Sequence, residues 1–471
     1  MPTPDLTPRQ LPDGLLDALE DALGADVVLR GDAAAQRHTA DWSGAEAVTP
    51  PALLLPRTTQ QVSDALRVCT RFKTPVVIQG GLTGLAGGAN PRPGEVALSL
   101  GRLTAVESFD EVSGTAIVQA GVTLEQLQTL ALEKGWFFPL DLGARGSCQL
   151  GGNAATNAGG NRVLRYGMMR SCILGLEAVL ADGTVLTMLD SVIKNNAGFD
   201  LKQLFVGSEG TLGVITRLSL KLEPRQSAQT TVLCAVSDFN KAMDLLRACR
   251  RALPDLTAFE LMWQDYFSES CAATGRAEPF ERYHPLYVLF ETLSCDEAAS
   301  VGAVQALLET AFEDGLVEDA VVAQSLEQAR QLWEYREGVV EILPLIKPCA
   351  AFDVSVALPR MDELAKRLRV LLQEHYPDRR HLFFGHLGDG NLHLISGPYP
   401  VESDLLAVEE LVYRCVGEFG GSISAEHGIG VVKKPFLSRS RSDAEISLMR
   451  ALKAAMDPLN ILNAGRIFSA D

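Results

Sequence analysis

Apolar residues recur along this chain with two periods, and the switches between them mark out its elements. Leucines at helical spacing over 13–23, stopped by Gly24, read as an amphipathic helix inside a helical lead-in of residues 1–48. Short apolar runs at 52–55 and 75–78 bracket a helix over 58–71, capped by Thr58 or Thr59, to give a β-α-β unit. Strands are predicted at 96–100, 105–109 and 115–119, and a helix over 123–134 ended by Gly135. Strands 174–180 and 185–189 flank Asp182-Gly183, a strong hairpin signal. A run over 212–222 closes this part at Pro224. Beyond it the pattern predicts strands at 230–236 and 286–291, helices over 239–253, 296–312 and 325–343 on one face, and further helices over 411–419 and 444–456. The division expected is a lead-in (1–48), a first domain (49–224), an α+β domain (225–410) and a C-terminal helical segment (411–471).

Two glycine-rich stretches interrupt this patterning. One spans 146–167, G-S-C-Q-L-G-G-N-A-A-T-N-A-G-G-N-R-V-L-R-Y-G, where every residue from Gly151 to Gly160 except Thr156 is Gly, Ala or Asn. Backbone of that kind approaches a flat ligand unhindered. The other, residues 79–90, follows the strand at 75–78, and its glycines at 80, 81, 84, 87 and 88 free backbone N–H groups to line an anion such as a pyrophosphate. Neither stretch has the G-x-x-x-x-G-K-[ST] pattern or a dinucleotide fingerprint with its acidic residue.

These stretches, with Pro56 and Thr58 before them and Gly198-Phe-Asp-Leu201 and Gly207-Ser-Glu-Gly-Thr-Leu-Gly-Val-Ile215 after, resemble the FAD-binding domain of the vanillyl-alcohol-oxidase (PCMH-type) superfamily. Two motifs near the C-terminus narrow the resemblance to the branch of D-2-hydroxyglutarate and D-lactate dehydrogenases, over residues 51–468. The fold it implies is α+β: a two-subdomain PCMH-type FAD-binding domain, an α+β cap holding the substrate, and a C-terminal segment returning to the flavin. Cofactor-binding residues implied in the first loop are Gly80, Gly81, Leu82, Thr83, Gly84 and Leu85. The second stretch adds Gly146, Ser147, Gly151, Gly152, Asn153, Thr156, Asn157, Gly159, Gly160, Tyr166 and Gly167. Glu209, Ile215 and Asn463 complete the set, with Ala464 standing where the family has Pro and the Asn463 amide in reach of the isoalloxazine. Residues 79–90 contain no His or Cys, so FAD is expected to bind non-covalently, Cys148 being the one nucleophile near the second stretch.

His386-Leu-Gly-Asp-Gly-Asn-Leu-His393 is the sharpest local constellation. With Asp389-Gly390 as a two-residue hairpin turn, His386 stands directly opposite His393, about 5 Å away between Cβ atoms, as a chelating pair needs. By the resemblance, Glu426 in Ser424-Ala-Glu-His-Gly-Ile-Gly430 completes a His-His-Glu site for a divalent metal, and the adjacent His427 is the catalytic base and a substrate contact. Zn²⁺ is the first choice, while Fe²⁺, Mn²⁺ and Co²⁺ suit the same donors.

A 2-hydroxy acid bound to such a metal through its hydroxyl and carboxylate would lose its proton to His427 and its hydride to flavin N5. Arg336, in Trp333-Glu-Tyr-Arg-Glu337, matches the family's carboxylate-binding arginine; its alternative is an i,i+4 ion pair on a helix face. Three polar substrate contacts of the glutarate-type enzymes are replaced here by Val340, Ala351 and Ile395. A distal carboxylate would then meet aliphatic surface, which favours a D-2-hydroxy acid with a small or apolar side chain, lactate-like, over 2-hydroxyglutarate.

Composition narrows the partners. A net charge of −17 disfavours nucleic acid and anionic membrane. Nine scattered cysteines with no C-x-x-C read as thiols of a reducing compartment, and no apolar run reaches membrane-spanning length, so a soluble cytoplasmic protein is expected. The chain has no iron–sulfur spacing and no nicotinamide fingerprint, so electrons are expected to pass to an electron-transfer protein or a quinone, with oxygen left open as acceptor. Assembly stays open, a homodimer included. The rival classes are a metal-dependent hydrolase, which would be colourless, and a non-catalytic flavin-binding protein.

Overall fold

The segment from Ala52 to Ser99 builds most of the first sheet, because its apolar runs are short and the first two are separated by one well-capped helix. In the computed structural model, which describes residues 11–37 and 39–469, strands Val28–Arg30, Ala52–Leu54, Val96–Ser99 and Val76–Gln79 lie side by side in that order. The last three run parallel. Helix Thr59–Arg71 makes the crossover, and the Thr58 side chain accepts from the Gln61 N–H at 3.1 Å. Helix Leu15–Leu23 joins the same core through Leu15 and Leu19. The first ten residues of the expected lead-in lie outside the described residues.

A second, antiparallel sheet orders its strands Val106–Asp110, Thr115–Gln119, Val214–Lys221, Ile173–Val179 and Val185–Met188. The Asp182-Gly183 turn forms as the sequence predicts, with Gly183 at φ 82° and the Asp182 carboxylate accepting from the Thr184 N–H at 2.8 Å. Residues up to Gly160, Gly167–Pro224 and those from Glu426 onward make one compact unit; Asn161–Tyr166 and Arg225–Ala425 make the other.

The second unit is a seven-stranded antiparallel sheet ordered Asp319–Val322, Ala228–Val236, Leu286–Ser294, Leu256–Trp263, Arg380–His386, Asn391–Gly397 and Ala350–Ser355. Its helices cover both faces, not one. Leu382, Phe384 and Ile395 pack with Tyr266, Leu332 and Ile342 from helices Gln264–Thr274, Leu326–Glu337 and Val339–Leu345. Phe383, on the opposite side, meets Trp263 and the Arg369 guanidinium of helix Met361–His375.

Two helix boundaries differ from the sequence pattern. The run 325–343 breaks at Gly338, where a Cβ would fall 2.0 Å from the Ser270 hydroxyl. The Tyr266 and Ser270 hydroxyls donate there to the carbonyls of Arg336 and Tyr335. The helix expected over 411–419 begins at Glu402 and ends at Glu418.

The expected C-terminal segment divides: residues 411–425 belong to the second unit, and those from Glu426 onward are an integral part of the first. The Val76 N–H donates to the Ile461 carbonyl at 2.7 Å and the Asn463 N–H to the Val76 carbonyl at 2.9 Å, so the returning chain covers the edge of the parallel sheet. Arg466, 1 % exposed, donates to the Glu95 carboxylate and to the carbonyls of Asn90, Gly88 and Ala464. Arg466→Met is expected to cost about 3–5 kcal/mol, since the buried Glu95 carboxylate keeps the Arg92 N–H but loses its guanidinium partner. Chemical denaturation of the variant beside the parent protein measures it, and an unchanged midpoint would contradict this account of the segment.

Candidate functional site

Within the first unit the two glycine stretches meet backbone to backbone. A Cβ on Gly81 would sit 2.0 Å from the Ser147 carbonyl oxygen, and one on Gly80 would lie 3.5 Å from the Gly152 Cα. Glycine is required at Gly81 by this approach. Residues 150–155 form a short helix, so the second stretch is a folded wall and not an open surface. Gly151 packs on Ala120, and Asn153, Gly159 and Gly160 are buried behind it. The accessible lip consists of Gly84, Leu85, Gly146 and Ser147, with Leu82, Thr83, Gly152, Thr156 and Asn157 half-buried beside it.

Other expected cofactor residues hold this wall in place. Glu209, at φ 52°, accepts the N–H groups of Ile429 and Gly430 at 2.8 and 2.7 Å. Burial raises its pKa, and those two donors and Lys433 oppose the rise. The Asn463 amide takes the Ile78 N–H at 2.8 Å and donates to the Glu209 carbonyl at 2.6 Å. Ile215 lies in the core of the antiparallel sheet, Gly167 at φ 73° starts the returning chain, and Tyr166 belongs to the segment grouped with the second unit.

Two polar groups that sequence reasoning missed also face the glycine loops. Asp41 Oδ2 and Gln149 Oε1 are buried without a hydrogen-bond partner among the described residues, 3.5 Å from a Gly84 Cβ and 3.7 Å from a Gly80 Cβ respectively. Orphaned acceptors beside a cradle that a methyl group would fill suit a ligand rich in hydroxyl and amide donors, as FAD is. Nothing local in the sequence distinguishes them from loop polar residues.

In the second unit the hairpin forms with a different register. His386 pairs with Asn391, and His393 pairs with Phe384. The turn is four residues, Leu387 to Gly390, in which the His386 carbonyl accepts from both Asp389 and Gly390 at 3.2 Å and Gly390 takes φ 86°. The slip relative to the expected pairing is two residues, which preserves the face. The imidazoles are therefore diagonal neighbours, with ring centroids 5.2 Å apart at 76°. Arg250 donates to the Gly388 carbonyl at 2.6 Å and the Gly388 N–H to the Phe259 carbonyl at 3.0 Å, which fixes the turn.

Glu260, absent from the sequence reading, stands at the centre of this face. One of its oxygens meets His386 Nδ1 at 2.8 Å; the other accepts from Arg336 Nε at 2.8 Å. Arg336 lies over the Phe384 ring at 4.6 Å, its Nη2 3.4 Å from His386 Nε2. It is therefore a buried clamp in this fold and not a solvent-exposed i,i+4 partner. Burial works against the Glu260 carboxylate, yet His386 and Arg336 outweigh it and hold its pKa below the ordinary value. Burial also pushes the Asp389 carboxyl up to about 6.

Chain continuity brings in the third expected ligand. The Ala425 N–H donates to the carbonyl of Asp353, the cross-strand partner of His393, and Glu426 is the next residue. Ligand atoms of His386, His393 and Glu426 fall within 4.8 Å of one another. Glu426 Oε1 also accepts from the Gly160 N–H at 2.7 Å. His427 follows, half-buried. Of the three expected specificity positions, Ala351 and Ile395 are cross-strand partners, whereas Val340 is 68 % exposed on helix Val339–Leu345.

Two family models match the chain: "FAD binding domain" over residues 50–189 and "FAD linked oxidases, C-terminal domain" over residues 225–467. A D-2-hydroxyglutarate dehydrogenase of Xanthomonas citri pv. viticola is 40% identical over 439 residues, covering 92% of each chain. A putative mitochondrial D-lactate dehydrogenase of Schizosaccharomyces pombe is 42% identical over 435 residues, covering 90% of this chain and 82% of the relative. Among solved structures, p-cresol methylhydroxylase with substrate bound superposes with a TM-score of 0.76 at 18% identity, covering 98% of both chains, a likeness of fold.

The Gly81 contact gives a direct test of the cradle. Gly81→Ala forces the loops apart at an overpacking cost of about 1–3 kcal/mol. Flavin retained through purification, read from visible absorbance, should fall by about tenfold or more if that cost is drawn from binding. Full retention would show that the loop contact does not shape the cofactor site.

Proposed function

The chain belongs to the family of FAD-linked oxidases and is a flavin-dependent oxidoreductase, and on that footing we propose that it oxidises a D-2-hydroxy acid to the 2-oxo acid with a divalent cation at His386, His393 and Glu426. The observation carrying this reading is the convergence of two imidazoles and a carboxylate, a donor set suited to a divalent ion with positions left for substrate. Zinc is the first choice, with iron, manganese and cobalt compatible.

Bound FAD would supply the hydride acceptor and the cation a Lewis acid that acidifies the substrate hydroxyl. His427 takes the hydroxyl proton. Arg336, anchored through Nε, receives the substrate carboxylate on its terminal nitrogens. The glycine lip and the orphaned Asp41 and Gln149 oxygens hold the cofactor.

Relatives named D-2-hydroxyglutarate dehydrogenase, the Xanthomonas protein among them, make that dicarboxylate the better supported substrate. A small or apolar side chain is the second reading, favoured by Ile395, 2 % exposed within an apolar cluster, and by the fission-yeast relative named for D-lactate. Reduced flavin would pass its electrons to an electron-transfer protein or a quinone. Among the described residues no helix is long and apolar enough to cross a membrane.

Anaerobic mixing with both enantiomers of 2-hydroxyglutarate and lactate tests the proposal. The D-enantiomers should bleach the flavin, chelation should abolish turnover, and added Zn²⁺ or Mn²⁺ should restore it. Highest kcat/KM on D-lactate would replace the first substrate by the second. A colourless protein, or full turnover after metal stripping, would overturn the mechanism. His427→Gln should lower kcat by about 10²- to 10⁴-fold at unchanged flavin content.

A further inference from the structure

Glu260 is 1 % exposed in a strand, Leu256–Trp263, that is apolar apart from it and Thr257, and there an unpartnered carboxylate would be prohibitively costly. It is retained with both oxygens used, one on His386 and one on Arg336. We infer that Glu260 is a positioning residue that couples the metal ligand to the substrate-binding arginine. The inference rests on the cation and substrate reading proposed above.

A carboxylate only accepts hydrogen bonds, so the His386 nitrogen facing Glu260, Nδ1, carries the proton. Nε2, which Arg336 Nη2 meets at 3.4 Å, is then the ring atom whose lone pair a cation would take. A carboxylate on the far nitrogen of a ligating imidazole fixes its tautomer and orientation and makes it a stronger donor. The same group grips Arg336 by Nε, so the terminal nitrogens are turned toward the His386 ring, Nη2 lying 3.4 Å from its Nε2, with the guanidinium over the Phe384 ring at 4.6 Å. One side chain thus sets the direction of both the cation's ligand and the carboxylate's receptor.

The hydrogen-bond chemistry makes a discriminating substitution available. Glutamine has the volume of glutamate but only one accepting atom, so Glu260→Gln turns an NH₂ either toward Arg336, losing that bond, or toward His386, where it can donate only to the tautomer whose Nε2 carries the proton and so cannot take a cation. Metal-depleted full-length holoprotein is titrated with Zn²⁺ and with Mn²⁺ against a competing chelator, and KM is measured for D-2-hydroxyglutarate and D-lactate. Metal affinity should fall by about 10- to 100-fold in the Gln variant, and KM should rise more than kcat falls, with flavin content and melting temperature close to the parent's. Glu260→Asp keeps the charge but reaches only one partner, so it should recover part of the loss; it carries the test if the Gln variant does not fold.

Unchanged metal affinity and KM in these variants, beside tight binding by the parent protein, would overturn the role of Glu260 alone. A parent protein that binds neither ion would overturn the metal reading and this inference together. A collapse in flavin content or melting temperature with parental metal affinity would mark Glu260 as a structural residue only.

Discussion

A side chain on a β-strand has two directions available to it, and the chemistry of the second unit depends on that restriction. His386 and His393 lie on strands whose pairing is offset by two residues from a direct facing, and an even offset leaves both rings on one side of the sheet. The same parity puts Phe384, His393 and Asp353 in one row across three strands. Asp353 then receives the Ala425 N–H, and the polypeptide itself delivers Glu426. An odd offset would separate the imidazoles by the thickness of the sheet.

Two deeply buried charges, one in each unit, are held mainly by partners from distant parts of the chain. Glu260 on its central strand is met by a histidine and an arginine, and Arg466 by Glu95 and three carbonyls. Pairs of this kind contribute little net stability against apolar replacements, but they fix geometry, because removing one partner strands the other. An acidic chain of net charge −17 therefore directs selected arginines inward, where orientation matters most.

Much of the architecture was legible from periodicity. The crossover helix, the Asp182-Gly183 hairpin and the glycine loops stand where the patterns put them, because each is set by local chemistry: a capping threonine, a positive-φ glycine, a close backbone approach. What the sequence hid was set by distant contacts. The hairpin register depends on Arg250 and Phe259 gripping Gly388, and the break at Gly338 on hydroxyls from another helix. Glu260, Asp41 and Gln149 carry no motif, and their importance appears only once burial and partners are known. Asn463, read as a flavin contact, has both ends of its amide on backbone groups and acts as a tie between loops.

That tie has a consequence for how the protein is made. Asn463 clasps Ile78 across 385 residues, so the strand that leads into the first glycine loop is synthesised long before its edge partner leaves the ribosome. Throughout translation of the second unit, which occupies most of the intervening chain, that edge stays open to wrong pairings. The cradle around the first glycine loop therefore cannot be completed piecemeal; it waits for residues made after the whole second unit.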